Sequence, residues 1–136
     1  ESSRAFLFSE TMTEADAFKL QNMDLFRNYV RKSGLYGKGT DLGEALEQLC
    51  RKHPPILTDS TTLIVLSDTK TVDQSKALSA LLEAKRLSGR IIWLNPIPEH
   101  RWAHLRSAQL VSSCCNMVSC NTLQALSQAC RKLANL

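Results

Sequence analysis

Two short apolar strands separated by a helix are the feature that most constrains the fold of this chain. Residues 61–67 (TTLIVLS) and 90–94 (RIIWL) are runs of β-branched and large apolar side chains. Between them, residues 72–87 predict a helix with one apolar side, formed by Leu78, Leu81, Leu82 and Ala84. A helical connection favours parallel pairing, and parallel strands are usually covered on both faces. We therefore predict that both strands are buried on both faces, Ile64, Leu66 and Ile92 included.

The remaining pattern continues this alternation of strands and helices. It predicts a strand at residues 4–9 (RAFLFS), a short helix at 99–107, an apolar stretch at 110–118 and a last helix ending near 133. Further helices are predicted from Asp24 to the glycine segment 33–39, and from the cap residues Thr40 and Asp41 to the prolines after His53. The fold class is thus α/β: a doubly wound, mostly parallel sheet with helices on both faces.

Composition excludes several classes of protein. A chain of 136 residues with 43% hydrophobic content can bury a core without disulfides, so its five cysteines indicate reduced thiols in a cytoplasmic protein. Zinc is disfavoured because there is no C-x-x-C pair, and the adjacent Cys114 and Cys115 are expected to be buried in a strand. No apolar run approaches the roughly 20 residues of a membrane span.

The positive charge is concentrated in the second half of the chain. From Lys85 onward, seven Lys and Arg residues accompany the single acid Glu99. No nucleic-acid module surrounds them, so a solvated basic face is favoured over nucleic-acid binding.

Ligand sites in doubly wound sheets lie outside the carboxyl ends of the strands. The candidate site residues are therefore Ser67 and Asp68, Asn95, and the loop residues Thr40 and Asp41. Thr40 and Asp68 offer the hard oxygen ligands that Mg²⁺ accepts, but each residue type is also a common helix cap, and both interpretations stay open.

A nucleotide site is the other interpretation of the glycine loop. Residues 37–40 (GKGT) place a lysine before the last glycine and follow a predicted helix, whereas a phosphate-binding P-loop follows a strand and ends in GK[ST]. The incomplete motif disfavours nucleotide binding.

In order and spacing, RAFLFS, GKGTDLGEAL, TLIVLSD, RIIWLNP and MVSCNTLQALSQAC resemble the CoxE-type branch of the von Willebrand factor A-like (VWA) domains. The resemblance implies a Rossmann-like fold with a divalent cation, usually Mg²⁺, at the carboxyl edge of the sheet. In that family the cation is held in a MIDAS-type site by D-x-S-x-S, a threonine and an aspartate. Thr40 matches the threonine and Asp68 the aspartate, which predicts that their side chains lie within about 4–6 Å of each other.

The chain departs from this family in two places. No D-x-S-x-S occurs, although the family carries it after a first strand that precedes RAFLFS, and Thr69 stands where the family usually has glycine. We therefore expect residues 1–136 to form a single VWA-like domain that is incomplete at its N-terminus and lacks the first strand. Mg²⁺ binding by this chain alone is expected to be weak or absent.

By resemblance, the chain is expected to be a non-enzymatic, protein-binding adaptor without nucleic-acid or membrane partners. The implied partner is a MoxR-type AAA+ ATPase, and the implied role is maturation or remodelling of a protein complex. One alternative is an interaction domain that works without metal. The other is a small nucleotide-binding or hydrolytic enzyme using Asp68 or Cys115, although no set of nucleophile, base and orienting residue is recognisable.

Overall fold

The computed structural model describes residues 3–15, 21–34 and 38–135. The strands in this part of the chain are β1 (Ala5–Phe8), β2 (Met12–Ala15), β3 (Thr62–Leu66), β4 (Arg90–Asn95) and β5 (Asn116–Ser119). The α-helices are α1 (Met23–Lys32), α2 (Leu42–Cys50), α3 (Gln74–Leu87), α4 (Arg106–Cys114) and α5 (Leu123–Ala134), and a 3₁₀ helix spans Glu99–His104.

Strands β3, β4 and β5 form one parallel sheet in that order. Ile64 lies opposite Ile92 on β4, and Leu94 lies opposite Val118 on β5. Because α3 and α4 carry the chain back between successive strands, the three carboxyl ends share one edge of the sheet. The predicted parallel α/β architecture is confirmed.

The larger core lies between one face of this sheet and helices α2, α3 and α4. Val65, Ile91 and the fully buried Trp93 contribute from the strands. Helices α2 and α3 approach closely at Gly43. A Cβ added there would lie 2.7 Å from Lys76 Cγ and 3.0 Å from the Ala77 backbone nitrogen. The absence of a side chain at Gly43 therefore allows the two helices to pack this closely.

The opposite face of the sheet packs against α5. Ile92 and Leu94 form a smaller core there with Cys120 and Ala129. Helices thus cover both faces, as predicted, but the coverage of the second face is uneven.

Strand β3 corrects the prediction of complete burial. Val65 is buried, yet Ile64 is 49% exposed and Leu66 is 58% exposed. Within the described residues β3 lies at the edge of its sheet, while the smaller core around α5 is built on β4 and β5. A continuous apolar sequence cannot distinguish a strand with two covered faces from one with a single covered face.

The segment RAFLFS does form a strand, but it lies outside the parallel sheet. β1 pairs antiparallel with β2, which the sequence did not predict because MTEA lies within a largely polar stretch from Glu10 to Asp16. Arg4 holds this hairpin through two hydrogen bonds to the Glu14 carboxylate, at 2.7 and 2.8 Å. Phe6 and Phe8 pack against the larger core, so the hairpin is attached to the rest of the molecule by apolar contacts.

Several predicted boundaries require correction. The apolar stretch 110–118 divides between α4 and β5, so Cys114 ends a helix rather than lying in a strand. Asp73, and not Asp68, caps α3 by accepting a hydrogen bond from the Lys76 amide. The last helix, expected from Asn121 or Thr122, begins at Leu123 with Thr122 as its cap. Among the described residues, no helix is long and apolar enough to cross a membrane.

Candidate metal centre

The two predicted ligands lie on loops that hydrogen-bond to each other. Asp68 follows the carboxyl end of β3, and Thr40 precedes α2. The Val72 amide donates to the Thr40 carbonyl oxygen at 3.0 Å, which joins the loop after β3 to the loop before α2. The structure therefore brings the two loops together, while a shared ion between the Thr40 and Asp68 side chains stays a prediction.

Asp68 is half-buried and held by its own loop. Its Oδ1 accepts a hydrogen bond from the Lys70 amide at 3.0 Å. The preceding Ser67 is fixed to the sheet, because its carbonyl oxygen accepts from the Trp93 indole nitrogen at 2.9 Å. These contacts orient the carboxylate at the edge of the sheet.

Thr69 has a backbone conformation unusual for a residue other than glycine. Its φ is 69°, in the left-handed region that costs a side-chain-bearing residue about 1–2 kcal/mol. The side chain is 1% exposed, and its hydroxyl hydrogen-bonds to the Ser107 hydroxyl on α4 at 2.9 Å. This geometry explains physically why glycine suits the position after the aspartate.

Two other candidate residues have structural partners. Asp41 caps α2 by accepting from the Glu44 amide at 2.9 Å, and Lys76 Nζ lies 3.7 Å from its Oδ2. Asn95 is fully buried, and its Oδ1 accepts from the Ile97 amide. Both side chains therefore contribute to local folding.

A charged cluster next to the candidate site joins α2 to α3. Glu44 accepts hydrogen bonds from Gln48 and from the Lys76 ammonium, both at 2.9 Å, and these contacts lower the pKa of the Glu44 carboxyl. The same hydrogen bond raises the pKa of Lys76. Glu44 is therefore held ionised and paired near the start of α2.

The donor set fits Mg²⁺ in chemistry but not in number. Thr40 and Asp68 supply hard oxygen atoms, yet no group of three or more His, Cys, Asp or Glu in the described part of the chain is arranged to hold a metal. The buried hydroxyl of Ser9 has no hydrogen-bond partner among the described residues, and its carbonyl oxygen accepts from the Asp41 amide at 2.8 Å. A polar group is therefore left unsatisfied beside the Thr40 loop.

Ser9, Thr69, Ser107 and Thr71 were not identified from the sequence. Ser9, Thr71 and Ser107 are isolated hydroxyl residues without a motif. The partners of Thr71 and Ser107 are distant along the chain, and the Ser9 hydroxyl has none among the described residues. Only Thr69 carried a signal, since it replaces the glycine of the family pattern.

The enzyme interpretation finds little support in the geometry. Cys115 directly precedes β5 and so lies at the amino end of that strand, whereas Asp68 lies at the carboxyl end of β3. Burial raises the pKa of the Cys115 thiol to about 11, so it stays protonated and weakly nucleophilic. In the glycine loop considered for nucleotide binding, Gly37 lies outside the described residues, and the preceding element within the described residues is helix α1 rather than a strand.

Comparison with known proteins identifies one matching protein family. A family model described as "VWA domain containing CoxE-like protein" matches residues 1–129. No significant match was found among curated proteins or among solved structures. Since the match spans nearly the whole chain and agrees with its parallel sheet flanked by helices, the chain belongs to the CoxE-like proteins that contain a VWA domain.

Proposed function

We propose that this chain is a non-enzymatic adaptor that binds an acidic side chain of a partner protein through a divalent cation at the carboxyl edge of its sheet. Thr40 and Asp68 would hold the cation, with water in most of the remaining positions. The cation would supply positive charge for the partner's carboxylate. A MoxR-type AAA+ ATPase is the proposed partner, in maturation or remodelling of a protein complex.

The main support is the hydrogen bond from Val72 to Thr40, which joins the two loops that carry the proposed ligands. Membership in a family of VWA-like domains supports a role in protein interaction. The Asp68 carboxylate uses Oδ1 in its own loop. Its second oxygen is the proposed cation ligand.

The test measures binding to a purified MoxR-type ATPase in Mg²⁺ and in EDTA, with the wild-type chain, Asp68→Ala and the control Asp59→Ala. Asp59 is an exposed acid before the amino end of β3, so its loss changes net charge equally without touching the candidate site. Mg²⁺ binding by this chain alone is expected to be weak, but the partner's carboxylate adds a ligand in the complex. We therefore expect Mg²⁺-dependent binding to the partner that Asp68→Ala abolishes and Asp59→Ala retains. Binding that is equal in EDTA, or unaffected by Asp68→Ala, would contradict the proposal.

A second candidate function is an interaction that needs no metal. The exposed Ile64 and Leu66 on β3 favour it, because exposed apolar side chains on an edge strand are common features of interaction surfaces. In the same assay, this candidate predicts binding that persists in EDTA and is lost in Ile64→Glu.

A further inference from the structure

Thr71 lies on the loop after β3, and its hydroxyl contacts two backbone groups at the start of α2. It accepts a hydrogen bond from the Leu42 amide at 3.1 Å and donates one to the Thr40 carbonyl oxygen at 3.4 Å. A hydroxyl has one donor and two acceptor sites, so a single threonine can make both contacts.

These contacts define the start of α2. The first amides of a helix have no partner within the helix, and Leu42 is the first residue of α2. Asp41 satisfies the Glu44 amide, while Thr71 satisfies the Leu42 amide from outside the helix. The position of Thr40, two residues earlier, is thus tied to the loop after β3.

That loop is itself fixed to the sheet close to Asp68. The Ser67 hydroxyl accepts from the Thr69 amide at 3.1 Å, and the Ser67 amide donates to the Leu94 carbonyl oxygen at 3.1 Å. Thr71 therefore links a loop anchored on the sheet to the loop that carries Thr40.

We infer that Thr71 is a positioning residue, whose hydroxyl sets the place of Thr40 relative to Asp68 and so makes shared cation binding by the two loops possible. This inference rests on the proposed cation site. It assigns to Thr71 no direct contact with the ion.

The test uses Mn²⁺, which broadens the NMR signals of amides near it and detects weak sites. The wild-type chain is titrated beside Thr71→Val, Thr71→Ser and Asp68→Asn. Valine keeps the shape of threonine and removes the hydroxyl, whereas serine keeps the hydroxyl. In the wild type, we expect the amides near Thr40 and Asp68 to broaden together as Mn²⁺ is added.

Thr61 supplies a matched control at the other end of β3. Its hydroxyl likewise bridges two backbone groups, accepting from the Thr58 amide at 3.0 Å and donating to the Ile56 carbonyl oxygen at 3.0 Å. Thr61→Val therefore removes a comparable bridge far from the candidate site. A merely structural role would make Thr61→Val and Thr71→Val alike in unfolding and in Mn²⁺ response.

We expect Thr71→Val to weaken Mn²⁺ affinity about tenfold, as is typical when a residue that orients a metal ligand is lost. Thr71→Ser should restore affinity, and Thr61→Val should leave it unchanged. If Asp68→Asn abolishes the broadening but Thr71→Val does not weaken it, the inference is wrong and the proposed site stands. If the wild-type amides near Thr40 and Asp68 do not broaden together, both are wrong.

Discussion

The buried hydrogen bond between Thr69 and Ser107 gives the sharpest stability prediction. Thr69 is 1% exposed and Ser107 is 8% exposed, so neither hydroxyl has ready access to water. Ser107→Ala would leave the Thr69 hydroxyl buried without its partner, at a cost of about 1–3 kcal/mol. The higher helix propensity of alanine offsets about 0.5 kcal/mol of this loss in α4.

We therefore expect Ser107→Ala to lower the free energy of unfolding by about 1–2 kcal/mol. For a chain of this size, each kcal/mol lost lowers Tm by about 3–5 °C. Urea unfolding followed by tryptophan fluorescence measures the change. Ser112→Ala, an exposed serine on the same helix, is the matched control and should stay within about 0.5 kcal/mol of wild type.

A double-mutant cycle with Thr69→Gly tests the reasoning further. Glycine removes both the hydroxyl and the cost of the positive φ, which is about 1–2 kcal/mol. Ser107→Ala should therefore cost much less in the Thr69→Gly background than in the wild type. If its cost is the same in both backgrounds, within about 0.5 kcal/mol, the two residues are not coupled and the reasoning fails.

Three more predictions follow from contacts described above. Gly43→Ala should destabilise the fold by about 1–3 kcal/mol, because its Cβ would overlap α3, whereas Gly39→Ala should be tolerated in thermal unfolding because its Cβ meets only ordinary contacts. Contacts in the folded state lower the pKa of Glu44 from its ordinary 4.5, so the ionised carboxylate stabilises the fold at pH values above 4.5. In urea unfolding, the stability of wild type relative to Glu44→Gln should decrease as the pH falls through the lowered pKa. A stability difference that persists in acid would contradict this. At neutral pH, iodoacetamide should label the exposed Cys130, while Cys115 stays unlabelled until the chain unfolds. Peptide mass spectrometry measures the labelling of each cysteine. Rapid labelling of Cys115 in the native protein would show that its thiol is not protected.

The residues of the candidate site fall into two groups: those that the sequence indicates and those that only the structure reveals. Thr40 and Asp68 could be proposed as ligands from the sequence, because each lies in a short motif next to a predictable strand or helix. Their supporting residues could not. Ser107 lies 38 positions from Thr69 and Thr71 lies 31 positions from Thr40, so no local pattern relates them.

The sequence by itself determined the parallel strands β3 and β4, the helix α3 between them, and the approximate starts of α2 and α5. Such elements follow from local preferences: apolar runs of strand length, helical spacing of leucine and alanine, and a cap such as Asp41. Tertiary structure alone decided which strand faces are covered. Ile64 and Ile92 are equally apolar and lie side by side, yet only Ile92 is buried, because α5 packs over β4 and leaves β3 exposed.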